Sequence, residues 1–385
     1  MNLVTNDSQV TRYYDLNSNT LLQSTSLPKK MYLSQTDLDA YEANGPLMAR
    51  TPGTYKYICG LLPLPPKTTW SANQLGASYI SSSGLYRPFK TVDRNTLDAV
   101  VSKYLKLARG KIIGVELSGG LDTSIIIETL RRNDIDVRLF GLVSSAYGFR
   151  TERAIQDIYR NSSDHVVCRS YDECLPFSNL TKSPVYIYPS TANLTYSRQK
   201  ITVAAMKDLG VDILLNGDAG DHLLCHSLED LRPNESPEGY QRWRISDDWA
   251  NLNVFKPAGI EYISAFSLNF ISRALWTMRR GQKEDYMKLW ARKFFSDRLP
   301  YQLCNFAYKA SHDAWFSSGI KKSLDEIYEV CTVAYANTDD PRLLPDNIIS
   351  LAKNYATDPH QRQLQFLSRL SFATWVHGLA REGHI

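Results

Sequence analysis

Two short stretches of this chain combine glycines, hydroxyls and carboxylates at spacings that suit phosphate chemistry. The first is Ser118-Gly119-Gly120-Leu121-Asp122-Thr123-Ser124. Two adjacent glycines let the backbone approach an anion closely, and Ser118, Thr123 and Ser124 add hydroxyl donors. A helix opening just after the glycines would aim first-turn N–H groups and the positive end of its dipole at the same place. Asp122 is the odd member, because a carboxylate facing phosphates is repulsive unless a cation lies between them. Mg²⁺ held by Asp122 and phosphate oxygens resolves that conflict. An ordinary capping turn is the plainer account, yet it needs neither two glycines nor flanking hydroxyls. The second stretch, Asn216-Gly217-Asp218-Ala219-Gly220-Asp221-His222, repeats the pattern: small residues that permit close backbone approach, and carboxylates aimed at a cation. No Walker-type G-x-x-x-x-G-K-[ST] occurs anywhere.

Both stretches follow apolar runs that read as buried strands. Ile112, Ile113, Val115 and Leu117 precede the first, and Val211-Asp212-Ile213-Leu214-Leu215 precedes the second. After the first glycine turn, Ile125 to Arg132 reads as a helix starting at Asp122. Residues 93–109 have helical spacing, and Val137 to Val143 is a second buried strand. Thr151 to Tyr159 is a helix capped by Thr151 with Glu152 in its first turn, Val166-Val167-Cys168 is a short strand, and a helix follows over about 197–209. This βαβαβ order predicts an α/β fold with a parallel sheet whose ligands bind at the strand C-terminal ends. In the segment before that last helix, Thr191, Asn193 and Arg198 either face the reacting groups or belong to a solvated loop with a helix cap. From 222 to about 260 the chain is polar and turn-rich. A helical C-terminal half follows, with apolar spacing over 261–280, 283–297, 300–316, 320–336, 345–356 and 359–381. Its aromatics (Phe266, Phe270, Trp276, Trp290, Phe294, Phe295, Tyr308, Trp315 and Phe316) read as core. Residues 1–90, rich in Thr, Ser, Tyr, Asn and Pro, read as a small β-rich N-terminal domain ahead of a domain over 91–385.

At 385 residues the chain has room for two domains, and 43% hydrophobic with 22% charged residues is ordinary for a globular protein. A net charge of +4 compels no nucleic-acid or membrane partner, and no run of about 18 apolar residues or N-terminal signal is seen, so the cytoplasm is the expected location. The six cysteines contain no C-x-x-C pair, which argues against a zinc knuckle or a paired redox site and leaves them as scattered buried thiols.

The Ser-Gly-Gly-Leu-Asp-Thr-Ser loop resembles the pyrophosphate-binding loop of the PP-loop ATP pyrophosphatase superfamily (adenine nucleotide alpha hydrolase-like), and the preceding Leu117 fits its asparagine-synthetase branch. By that resemblance ATP would sit with Ser118, Gly119, Gly120, Leu121, Asp122, Thr123 and Ser124 on its phosphates and with Leu117 opposite its adenine. Adenine would lie against backbone near Val143 and Ser144, Gly217 and Asp218 would complete the pocket, and Asp122 with Asp221 would hold Mg²⁺. In asparagine synthetases the second stretch reads Gly-x-Gly-x-Asp-Glu. Gly217 and Asp221 are kept here, whereas Ala219 and His222 replace the second Gly and the Glu. Leu62-Pro63-Leu64-Pro65-Pro66 and Gly84-Leu85-Tyr86-Arg87-Pro88 resemble the end of that family's N-terminal domain. Its glutamine-using members carry a catalytic cysteine as second residue, where this chain has Asn2, and the N-terminal segment is about half the usual length. A glutaminase is therefore not expected. Nor does the chain hold an Arg-x-Pro-Phe-Leu-Asp segment from which a catalytic lysine can be assigned.

The Gly-Asp-Ala-Gly-Asp-His version is most similar to the macrolactam cyclases of lasso peptide biosynthesis. That resemblance implies attack of an Asp or Glu side chain of a precursor peptide on the α-phosphate of ATP, followed by attack of the peptide's freed N-terminal amine on the acyl-adenylate. It implies a leader-peptide protease as partner. A small-molecule amide or β-lactam synthetase, a tRNA-modifying enzyme of the same fold and a non-catalytic nucleotide-binding partner are the other readings.

Overall fold

The computed structural model describes residues 109–144, 150–162, 165–218, 249–267, 288–305, 312–358 and 360–385, with shorter pieces of the first 82 residues and positions 98, 102, 220 and 224. Its centre is a five-stranded sheet of β8 (Ile113–Glu116), β9 (Val137–Val143), β10 (Val166–Ser170), β11 (Ile213–Asn216) and β12 (Glu261–Ser264) in the order β10-β9-β8-β11-β12. Every neighbouring pair is parallel, with Val115 opposite Leu139 on one side and Leu215 on the other. The expected α/β fold with a helical C-terminal half and a β-rich N-terminal part is what the chain forms.

Side chains alternate across a strand, so a parallel sheet is stable only when both faces are covered. Here Ile113, Val115, Leu139, Ile213 and Leu215 enter one core with α2 (Leu121–Arg131), whereas Phe140, Leu142 and Leu214 enter the other. That second core is built largely by the C-terminal helices α8 (Leu324–Thr338), α9 (Pro345–Ala352) and α10 (His360–Arg381), which contribute residues such as Val330, Ile348 and Leu370. The N-terminal part joins the same core. Its strands β1 (Asn2–Asn6), β2 (Arg12–Asp15), β3 (Thr20–Gln23), β4 (Thr54–Tyr55), β5 (Leu61–Leu64), β6 (Thr68–Asn73) and β7 (Gly76–Ser82) form one sheet ordered β1-β6-β7-β4 and another ordered β3-β2-β5. Its helix α1 (Thr36–Asn44) lies on α10, where Tyr41 Oη is 3.1 Å from Ser371 Oγ and Arg369 donates to Glu42 at 3.0 Å.

Several sequence expectations are corrected. Residues 261–264 begin not a helix but β12, an edge strand that extends the sheet beyond β11. The stretch before it is not all turns, since a helical segment runs from 249 through Asn251–Phe255. The helix expected from Thr151 is α3, Arg150–Asn161, so Thr151 lies inside the first turn rather than capping it. Where one helix was expected over 300–316, α6 (Tyr301–Asn305) and α7 (Asp313–Lys322) are described on either side of undescribed residues 306–311. Of the cysteines, Cys174 and Cys331 are buried but Cys59, Cys168 and Cys304 are only partly so, and Cys225 is outside the described residues. Among the aromatics, Phe266, Phe295 and Trp315 are core, Trp290, Phe294 and Phe316 pack at its margin, and Phe270, Trp276 and Tyr308 are not described.

Candidate active site

The order of strands decides where a ligand can enter. From β8 the chain runs outward through β9 and β10, then returns to place β11 on the other side of β8. Loops leaving β8 and β11 therefore emerge side by side at the C-terminal end of the sheet, the end at which ligands of such sheets bind. The two glycine-rich stretches are those loops.

The first loop folds against α3. Gly119 has φ +79°, and a Cβ there would stand 2.3 Å from the Glu152 carbonyl oxygen. Only glycine satisfies both the backbone angle and the approach. Gly120 then serves as the N-cap of α2 without any side-chain cap, which leaves the first-turn N–H groups facing the loop. Ser118 Oγ accepts from the Gly120 N–H at 3.1 Å and lies 2.8 Å from Thr123 Oγ1, so the hydroxyls brace the turn as well as lining it. Ser124 is 0% exposed, which withdraws it from the open side of the loop. Of the three hydroxyls expected to face phosphate, only Ser118 is exposed. Behind the loop, Gln156 of α3 donates to the carbonyls of Leu117 and Leu142, each at 2.9 Å, and ties the ends of β8 and β9 together. Leu117 also donates its N–H to Phe140 O at 2.7 Å, so both of its backbone groups are committed to the protein.

The second loop packs directly on the first. A Cβ on Gly217 would lie 2.9 Å from Thr123 Cγ2, and one on Gly220 would lie 2.6 Å from Asp122 Cγ. The Asp218 N–H donates to Asn216 Oδ1 at 3.0 Å, and its carbonyl accepts from Ser264 Oγ at 2.7 Å, which secures the turn to the edge strand. Asp218 itself is exposed, while Asp221 lies outside the described residues. Val143 and Ser144 follow at the end of β9, half-buried and buried.

Asp122 is where the two loops converge, and its partner was not legible in the sequence. Lys288 Nζ reaches Oδ1 at 2.6 Å and Oδ2 at 2.7 Å, with side-chain exposures of 10% for the lysine and 19% for the aspartate. The lysine stands 166 residues away in the chain, just before α5 (Leu289–Phe294), and no spacing rule connects it to the loop.

A second charged pair borders the site. Arg198, on α4 (Tyr196–Asp208), donates to Glu116 Oε2 at 2.8 Å. Burial pushes the Glu116 carboxyl up, Arg198 draws it back, and Asp218 adds to the rise. Glu116 in turn holds the Arg198 guanidinium further toward its charged form. Both residues line a small cleft with Ser118, Phe140, Leu142 and Tyr171. Arg198 thus faces the site, the first of the two alternatives its sequence position allows. Asn193 does not: it is buried and donates to Ser371 O at 3.1 Å, holding α10. Thr191 is half-buried in the short helix Thr191–Thr195.

The residues present fit a magnesium nucleotide. Side chains are excluded at Gly119 by the Glu152 backbone, at Gly217 by Thr123 and at Gly220 by Asp122, whose carboxylate lies against the second loop. Mg²⁺ commonly takes one or two carboxylates and completes its shell with phosphate oxygens and water.

No protein-family model and no curated protein sequence matches this chain. Among solved structures it is similar to NMN synthetase from Francisella tularensis, at 12% identity over 60% of this chain and 93% of that chain, with a TM-score of 0.27. It is also similar to NAD+ synthetase from Burkholderia pseudomallei, at 14% identity over 53% of this chain and 86% of that chain, with a TM-score of 0.24.

Proposed function

We propose that this chain is an ATP-dependent C–N ligase that cleaves ATP between its α- and β-phosphates and forms an amide through an acyl-adenylate. One observation carries the reading: glycine turns at the ends of two central parallel strands, at the point where the strand order reverses, close on the carboxylate of Asp122. The first-turn N–H groups of α2 and the Ser118 hydroxyl would hold the pyrophosphate portion, and Asp122 with Asp221 would hold Mg²⁺. When bound, that ion neutralises charge building on the departing pyrophosphate. A substrate carboxylate oxygen bonds to the α-phosphorus as the α–β bridging bond breaks. The amine then displaces AMP from the acyl carbon and gives up a proton, and water must be kept from the mixed anhydride throughout.

In its finer form the proposal is macrolactam formation in lasso peptide biosynthesis, with a precursor peptide as substrate and a leader-peptide protease as partner. Residues 1–90 would be a reduced domain without glutaminase chemistry, and 91–385 the synthetase domain. In the N-terminal part the backbone of Asn2 is laddered to Ala72 in a β-sheet. No helix among the described residues is long and apolar enough to cross a membrane. The test is incubation with an Asp- or Glu-containing precursor peptide, the protease, ATP and Mg²⁺. AMP and a peptide lighter by one water are expected. Amine-dependent AMP release without any peptide would move the substrate to small molecules, and release of ADP would overturn the ligase reading.

A further inference from the structure

We propose that Lys288 is the resident counter-ion of Asp122, which the divalent cation must displace, so that this chain exchanges an ammonium for Mg²⁺ when the nucleotide binds. The inference rests on the nucleotide reading above and deepens it. Lys288 Nζ lies 2.6 and 2.7 Å from the two Asp122 oxygens, and both side chains are largely withdrawn from water. Mg²⁺ binds a carboxylate oxygen at about 2.0–2.1 Å. The ammonium bridges both oxygens, so an ion that takes either of the lone pairs turned toward it must displace it. The second loop lies over one edge of the carboxylate, where a Cβ on Gly220 would fall 2.6 Å from Asp122 Cγ, 2.7 Å from Oδ2 and 2.8 Å from Cβ, and this limits how far Asp122 can turn away to take a cation elsewhere.

The base of Lys288 is fixed as well. Just after it, α5 buries Ala291, and Phe295 at its C-cap is buried in the same core as Val115 and Leu121; Trp290 Nε1 donates to Leu224 O at 2.7 Å. The lysine itself holds a left-handed backbone, φ +54°, which a non-glycine residue adopts only when its surroundings over-determine it. Exchange is thus a swing of the lysine side chain, not a movement of α5.

The experiment titrates Mg²⁺ into the full chain at saturating α,β-methylene-ATP, with binding followed by calorimetry. Lys288→Met removes the competitor and should lower the half-saturating Mg²⁺ concentration at least fivefold. Lys288→Arg, whose fork grips a carboxylate more firmly, should raise it at least threefold. An unchanged or higher Mg²⁺ requirement in Lys288→Met overturns the proposal. If that variant does not fold, an unchanged requirement in Lys288→Arg does the same. Thermal melting with Mg²⁺ alone separates this from the nucleotide reading. Should the wild type bind no analogue at any Mg²⁺ concentration, that reading fails. The exchange then stands if Mg²⁺ raises the Tm of Lys288→Met but not of the wild type, and falls if the two respond alike.

Discussion

Gly119→Ala puts the loop geometry to a quantitative test, because the chain contains its own control. The substitution adds two costs. The first is the left-handed backbone at φ +79°, worth about 1–2 kcal/mol for a residue with a Cβ. The second is the collision of that Cβ with the backbone of Glu152, at 2.3 Å from its oxygen and 2.7 Å from its carbonyl carbon. The obstacle is main chain at the start of α3, not a side-chain tip that can swing aside, so an overpacking cost of about 1–3 kcal/mol applies. Gly259 has almost the same angle, φ +83°, and a Cβ there would meet nothing within 4 Å. Gly259→Ala should therefore cost only the backbone portion, about 1–2 kcal/mol, and Gly119→Ala about 2–5 kcal/mol. Urea denaturation of both variants reads the difference as a lower midpoint for Gly119→Ala at unchanged m. Gly119→Ala should also lose binding of α,β-methylene-ATP, whereas Gly259→Ala should keep it. If the two variants are equally stable, the loop does not press on α3 as described, and the phosphate cradle loses its wall.

Three further outcomes are expected. Gln156→Leu removes both clamps on the ends of β8 and β9 and should cost about 1–3 kcal/mol for each carbonyl left bare; Gln156→Glu, which turns an acceptor toward the same carbonyls, should be worse, and the reverse ranking in denaturant midpoints would remove Gln156 from this role. Burial lowers the His377 pKa below its ordinary 6.5, with Glu329 only partly opposing. Its contribution is thus full above about pH 6.5 and lost as pH falls below it, so the denaturation midpoint should fall from pH 7.5 to pH 5 less steeply in His377→Gln than in the wild type. Arg198→Leu removes the partner of a carboxyl that burial already pushes up. A folded-state pKa above the unfolded one costs stability as pH rises through it, so the deficit of Arg198→Leu should grow from pH 5 to pH 8 and vanish in Glu116→Leu/Arg198→Leu; a deficit independent of pH would break this account.

Much of the sheet was readable because its strands are buried on both faces. Runs such as Val137 to Val143 and Ile213 to Leu215 are nearly uninterrupted apolar segments. β12 escaped because an edge strand need not be apolar throughout: Glu261-Tyr262-Ile263-Ser264 sets two apolar residues between polar ones with no alternation, and its flanks allow a helical reading. Ser124 sits in the motif where a donor to phosphate is expected, yet its side chain is buried. A sequence pattern carries no information on which way a first-turn hydroxyl points.

By itself the sequence determined the α/β class and the two glycine turns at the ends of buried strands. Those follow from local rules, since backbone angles and alternation act within a few residues. Only the tertiary structure decided that the second loop rests on Asp122, that Arg198 answers Glu116, and that Lys288 supplies the charge at the centre. The two charge pairings span 82 and 166 residues of chain, and a charge seeks the nearest opposite charge in space, whatever its distance along the sequence.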